Sequence, residues 1–258
     1  MTFAVSLLIK ALLLFLGMIL LIEVGRRIGT RRLAVDSEGS SAGTGVMDGA
    51  VFGLLGLLMA FTFSGAATRF DTRRQLVVEE VNDIGTAYLR LDLLSGPSRV
   101  ALQGKFRRYV DSRIEYFQGP EDLRVREANF RRSVALQNEI WSEAVAACKA
   151  EPQVPTTMLL LPALNQMIDI TSTRLMATRM HPPGVVFVLL ISLALLSALL
   201  AGRGMAGSKA RNWIHIIGYA SIFAITVYVI LDIEYPRLGL IRMDAADQML
   251  MDLRASMK

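Results

Sequence analysis

One cysteine and two histidines leave this chain almost without the side chains that hold metals. Cys148 alone excludes an intrachain disulfide. His181 and His215 lie in different segments, so no Cys/His cage forms within one chain. The sequence also lacks a phosphate-binding glycine loop, a GxSxG elbow and an HExxH helix. No strand-like alternation or internal repeat stands out. These absences leave no catalytic constellation: no catalytic residue, metal or cofactor is assigned, and an enzyme is not expected. Cys148 reads as a small buried residue on a helix.

Long apolar runs are what the chain has instead. Apolar residues make up 53% of the 258, too many for an ordinary soluble domain. Four segments carry the excess: Phe3–Val24, Gly49–Thr68, Gly184–Ala201 and Trp213–Leu231. Each is roughly the 20 residues that a hydrocarbon core of about 30 Å requires of a helix. In lipid such segments must pair their own backbone groups, which makes them helices. Lys10 inside the first segment and Glu23-Val24-Gly25 after it argue for a retained span over a cleaved signal peptide. The class is therefore an all-α membrane protein with the lipid bilayer as its first partner.

The domain order is 1–68, two membrane helices and their loop; 69–183, a helical insert outside the membrane; and 184–258, a membrane hairpin and tail. The link from Gly25 to Asp48 is rich in Gly, Ser and Thr and reads as a mobile loop. The stretch from Gly45 to Leu94 has no proline, so one helix is expected to run from lipid into the insert. Gly96-Pro97-Ser98 ends it and starts a second insert helix, with Ser98 as N-cap. The third insert helix spans Glu121 to Ala150, and the fourth Thr156 to Met180, stopped by Pro182-Pro183.

Helical spacing gives each insert helix an apolar stripe. The stripes are Val77, Val81, Ile84, Tyr88 and Leu91; then Leu102, Phe106, Tyr109, Val110 and Phe117; then Phe130, Val134, Trp141, Val145 and Cys148; then Leu160, Leu164, Met167, Ile168 and Leu175. Four such faces make a bundle.

The net charge of +5 lies in arginine-rich runs beside the membrane segments. Such runs can bind nucleic acid, but here they read as topology signals and lipid-headgroup contacts, with no nucleic-acid partner. The stretches 25–48 and 202–212 hold seven Lys and Arg between them. The positive-inside rule then puts them in the cytoplasm of a multi-pass bacterial inner-membrane protein, with the insert on the periplasmic side.

On the second span, Gly49, Gly53, Gly56, Ala60 and Ser64 make a small-residue stripe, beside the bulkier Phe52, Leu55, Met59 and Phe63. Close helix packing is the plain reading of the stripe. The sharper one is a pore-lining helix, with the bulky residues as a hydrophobic constriction in a homo-oligomer that passes small inorganic ions. At the membrane boundary Arg69, Arg73, Arg74, Glu79, Glu80 and Asp83 are candidates for charge selection. Asp232 and Glu234, at the end of the last span, are candidates for cation contact with those acidic residues, since hard cations take several carboxylate oxygens. Ion pairing with nearby arginines is the simpler alternative.

The run GLLGLLMAFTFSGAATRFDTRRQLVVEEVNDIGTAYLRLDLL resembles the bestrophin-like domain family of bacterial integral membrane proteins. So do LLPALNQMIDITSTRLMATRMHPP and LDIEYPRLGLIRM, where Asp232, Pro236 and Gly239 fit a carboxylate-Pro-Gly pattern. The resemblance covers residues 50 to 245. It implies a distant likeness to bestrophins, oligomeric and mostly pentameric anion channels. Their four membrane helices surround a large helical domain between the second and third spans, and their second helix lines the pore. By layout, Phe52, Leu55, Met59 and Phe63 are the positions analogous to their constriction. In bestrophins that helical domain is cytosolic, opposite to the side the charge bias indicates here. The leading expectation is an anion channel; the alternative is a non-conducting sensor or scaffold that presents the insert to a partner.

Overall fold

Apolar runs and amphipathic segments form α-helices along most of the described residues of the computed structural model, which are 3–35, 41–118, 123–150, 153–208, 211–236 and 239–257. In chain order the helices are α1 (Phe3–Val35), α2 (Ser41–Arg90), α3 (Gly96–Gln118), α4 (Leu123–Ala150), α5 (Val154–Arg179), α6 (Gly184–Gly204), α7 (Trp213–Glu234) and α8 (Asp244–Ser256). No strand occurs among the described residues. Four stretches are long and apolar enough to cross a membrane: α1, α2, the stretch 154–204, whose apolar part is α6, and α7. The all-α, four-span expectation therefore holds.

The chain divides into two compact units. The first comprises residues 1–70 and 181–242. Its α1 packs along α6 and α7, and Met18, Ile22, Leu190, Ala194 and Ala198 fill the centre. Leu55 and Ala66 are the buried residues of α2 in this core, with Leu58 and Met59 packed against it.

Here the expected loop from Gly25 to Asp48 is corrected. Helix α1 continues to Val35 and α2 already begins at Ser41; residues 36–40 lie outside those described. The cause is packing. A Cβ on Gly25 would overlap the carbonyl oxygen of Leu199, and one on Gly202 would overlap that of Ile22. At both positions the two backbones meet with no side chain between them, which holds α1 helical past its apolar run. Glu23 and Arg27, one turn apart at 3.0 Å, add local support.

The second unit comprises residues 71–180 and 243–258. Ile84, Leu102, Phe106, Tyr109, Leu160, Leu164 and Met167 form its core. Helix α8, Ala246 and Leu250 inward, packs on α3 and completes it. The apolar stripe of α3 faces this core as expected, as do Val81, Ile84 and Tyr88 of α2 and Leu91 just after it; Val77 is buried but outside this cluster. On α4 the buried line is instead Ser133, Leu136, Gln137, Ile140, Ala144 and Cys148. Polar Gln137 belongs to that line because its amide donates to Tyr109 Oη (3.0 Å) and Thr171 Oγ1 (2.8 Å), so following apolar residues alone rotates the face.

The expected Ser98 cap is also corrected. Helix α3 starts at Gly96, whose φ of +45° lies in the left-handed region that favours glycine. At the far end, the expected start at Glu121 lies outside the described residues. Helix α5 begins at Val154, two residues before the expected Thr156, because Pro155 fits its first turn, where the missing N–H costs nothing.

Candidate functional site

Helix α2 shows a sharp division around its axis in the membrane unit. Leu55 and Ala66 are fully buried and Thr62 nearly so, its hydroxyl donating to Leu58 O at 2.7 Å. Gly49, Gly53, Gly56, Ala60 and Ser64 are exposed. At 100° per residue those five fall within an arc of roughly 80°. A Cβ placed on Gly45, Gly49, Gly53 or Gly56 would meet nothing within 4 Å. Among the described residues, then, no helix packs against the glycines of this stripe.

Phe52 and Phe63 stand along one edge of this arc, half-buried and exposed respectively, and exposed Leu57 and Phe61 along the other. Two of the four bulky positions depart from a shared exposed stripe. Leu55 points into the core, and Met59 is half-buried against it.

The charged residues have separate fates. In the membrane unit, the Arg69 guanidinium forks onto Glu234, with its Nε donating at 2.8 Å. His181 Nδ1 lies 3.3 Å from the other Glu234 oxygen, and its ring stacks on Tyr235 at 4.6 Å. Glu234 is almost fully buried, and these partners compensate its charge. Asp232 accepts backbone N–H bonds from Leu240 (2.9 Å) and Ile241 (2.7 Å). Gly239 lies so close that any Cβ would overlap the Asp232 carboxylate. The Asp232 carboxylate thus organises the backbone amides of Leu240 and Ile241, and Gly239 permits the approach. Asp232 and Glu234 are each held by protein donors, and among the described residues no group of three His, Cys, Asp or Glu could hold a metal ion.

In the second unit, Arg73 is buried and donates to the carbonyls of Ala177 (3.1 Å) and Met180 (2.9 Å). It satisfies the end of α5, where orphan carbonyls and the helix dipole favour a cation. Glu80 is fully buried between Arg113, whose Nε donates at 2.6 Å, and Arg174. Arg174 also reaches Asp247 of α8 at 3.4 Å, and the Phe117 ring lies under both guanidiniums. Burial opposes the Arg113 charge, but the Glu80 carboxylate outweighs it and holds the guanidinium pKa above the ordinary arginine value. Arg74 and Glu79 are exposed, and Asp83 is half-buried.

Sequence reasoning missed Arg113, Arg174 and Asp247, which lie 33 to 167 positions from Glu80 and carry no local signal. It named His181 without its partner Glu234.

A four-span helical membrane protein with a second helical unit built from 71–180 and its C-terminal helix is the class these features define. The Bestrophin-like domain family matches residues 12–246, and the chain belongs to that family. The fold is similar to the crystal structure of a bacterial bestrophin homolog from Klebsiella pneumoniae, with a TM-score of 0.68 at 13% identity, covering 96% of this chain and 100% of that one. No curated protein matches.

Proposed function

We propose that this protein is an oligomeric channel for small anions in the bacterial inner membrane, with α2 lining the path. The observation that carries the reading is the exposed arc of Gly49, Gly53, Gly56, Ala60 and Ser64, open at every glycine and flanked by Phe52 and Phe63. A lipid-facing helix gains nothing from such a stripe, whereas a ring of copies can use it to leave room for ions. Family membership and the likeness to a bacterial bestrophin homolog support the same reading. Of the boundary charges, Arg74 is the one proposed to attract anions, because it is exposed to solvent beside Asp71 at 3.6 Å; Arg69 and Arg73 are turned to buried contacts.

The purified oligomer in planar bilayers should conduct. Phe63→Ala should raise conductance, and Arg74→Ala should lower anion selectivity. A well-folded oligomer without conductance would overturn the proposal.

The second reading, a scaffold that presents unit 71–180 to a partner, is favoured by exposed Leu89, Val154 and Met158, each about two-thirds or more accessible. The proposed periplasmic side of this unit rests on the Lys and Arg of 25–48 and 202–212. Cys148 is buried, so a thiol at exposed Ser142 is the better reporter. In a Cys148→Ala background, Ser142→Cys should react with an impermeant reagent added outside spheroplasts. Reaction only after lysis would reverse the orientation.

A further inference from the structure

The membrane unit contains a cavity of about 360 Å³ between α1 and the start of α7, within the range of roughly 300–1,000 Å³ typical of small-molecule sites. Its long wall is apolar: Leu16, Ile19 and Leu20 from α1, with Ile216 from α7. Leu16 and Leu20 are more than half exposed on a helix apolar enough to cross a membrane. One end of the cavity is cationic, formed by Arg26, Arg27 and Arg211. Among the described lining residues the one carboxylate is Glu23, accepting from Arg27 Nε and Arg211 Nη2 at 3.0 Å each. Three guanidiniums against one carboxylate leave the rim at about +2.

Trp213 closes the same end, with the Arg211 guanidinium 5.8 Å from its ring centroid. It opens α7 directly after the capping Asn212, so the positive end of that helix adds to the field. A tryptophan beside arginines at the end of an apolar run marks headgroup depth. From Leu16 to Arg26 the helix rises about 15 Å, close to half of a hydrocarbon core of about 30 Å. The cavity therefore offers one leaflet's length of apolar wall below an anion-attracting rim.

We infer that this cavity binds an anionic phospholipid, its acyl chain along Leu16, Leu20 and Ile216 and its phosphate at Arg26, Arg27 and Arg211. The apolar wall selects a lipid over free phosphate, and the surplus charge selects an anionic headgroup over a zwitterionic one.

The test uses the full-length protein in detergent, titrated separately with phosphatidylglycerol, phosphatidylcholine and inorganic phosphate while its melting temperature is followed. Phosphatidylglycerol should raise the melting temperature saturably, and the other two should not. The double variant Arg26→Gln/Arg211→Gln should weaken the apparent phosphatidylglycerol affinity roughly 30-fold, about 2 kcal/mol for two headgroup-level arginines. Leu20→Glu should weaken it through the wall while keeping all three arginines. Lipid-free melting checks that each variant folds; one that does not fold is replaced by Arg27→Gln, on the exposed surface, expected to weaken binding about 5-fold. An equal response to phosphatidylcholine, a response to phosphate alone, or folded variants that bind as the parent does would each overturn the assignment.

Discussion

Two sets of glycines in the membrane unit behave in opposite ways. Gly25, Gly29 and Gly202 sit where α1 and α6 touch backbone to backbone, and a methyl group at any of them would collide with main-chain or Cβ atoms. Gly45, Gly49 and Gly53 repeat the four-residue spacing of Gly25 and Gly29 on α2 and Gly56 follows three residues on, yet a methyl group on any of them would enter open space. Small-residue spacing signals that a close neighbour can be accommodated; it does not say which neighbour, or whether it belongs to the same chain. The α1–α6 seam is closed within the protomer. The α2 face is open within the chain.

The largest expected effect comes from breaking the closed set. Gly202→Leu puts a side chain into the Ile22 backbone and should destabilise the membrane unit by more than the roughly 1–3 kcal/mol of ordinary overpacking, read as a loss of folded protein on extraction and melting. Nearly as large is the removal of the buried charge centre in the other unit. Glu80→Gln removes the charge partner of buried Arg113 and leaves Arg174 only Asp247 as a carboxylate, and should cost about 3–5 kcal/mol, seen as early proteolysis of residues 71–180. Gly53→Leu on the open set should leave the lipid-free protomer melt within about 0.5 kcal/mol of the parent, while abolishing the proposed conductance. A destabilised Gly53→Leu protomer would erase the contrast.

A smaller effect concerns pH. Burial pushes the Tyr109 phenol above its ordinary value, more than offsetting the nearby Arg113 charge and the hydrogen bonds it shares with Thr171 and Gln137. The folded state holds this proton more tightly than the unfolded chain. The stability it contributes is complete below pH about 10 and is lost as pH rises further. Tyr109→Phe should therefore flatten the alkaline part of a stability–pH curve, at a cost of about 1 kcal/mol at neutral pH for the lost hydrogen bonds.

What could be read from the chain follows the range of each signal. Hydropathy over some 20 residues locates the four spans, and helical spacing finds most of the insert core, because both are local. The end of α1 was hidden because Gly25 and Gly29 lie among arginines and glycines that read as a loop, and only the distant Leu199 backbone explains them. The face of α4 was displaced because Gln137 is polar and buried, through Tyr109 and Thr171. Helix α8 gave little warning, since its short apolar set matters only against α3. At the candidate site, the exposed arc from Gly49 to Ser64 was legible as a stripe. The inward turn of Leu55 and the tying of Arg73 and Glu80 to internal partners needed tertiary contacts.

The most direct test of the open α2 face is the aqueous reactivity of single thiols along it. In a Cys148→Ala background, Gly53→Cys, Gly56→Cys and Ala60→Cys are treated in intact membranes with a small hydrophilic thiol reagent, beside Leu57→Cys and Phe61→Cys on the neighbouring arc. If α2 lines an ion path, the first three react and the last two stay protected by lipid. Silence at Gly53, Gly56 and Ala60, or equal reaction at all five, would contradict it.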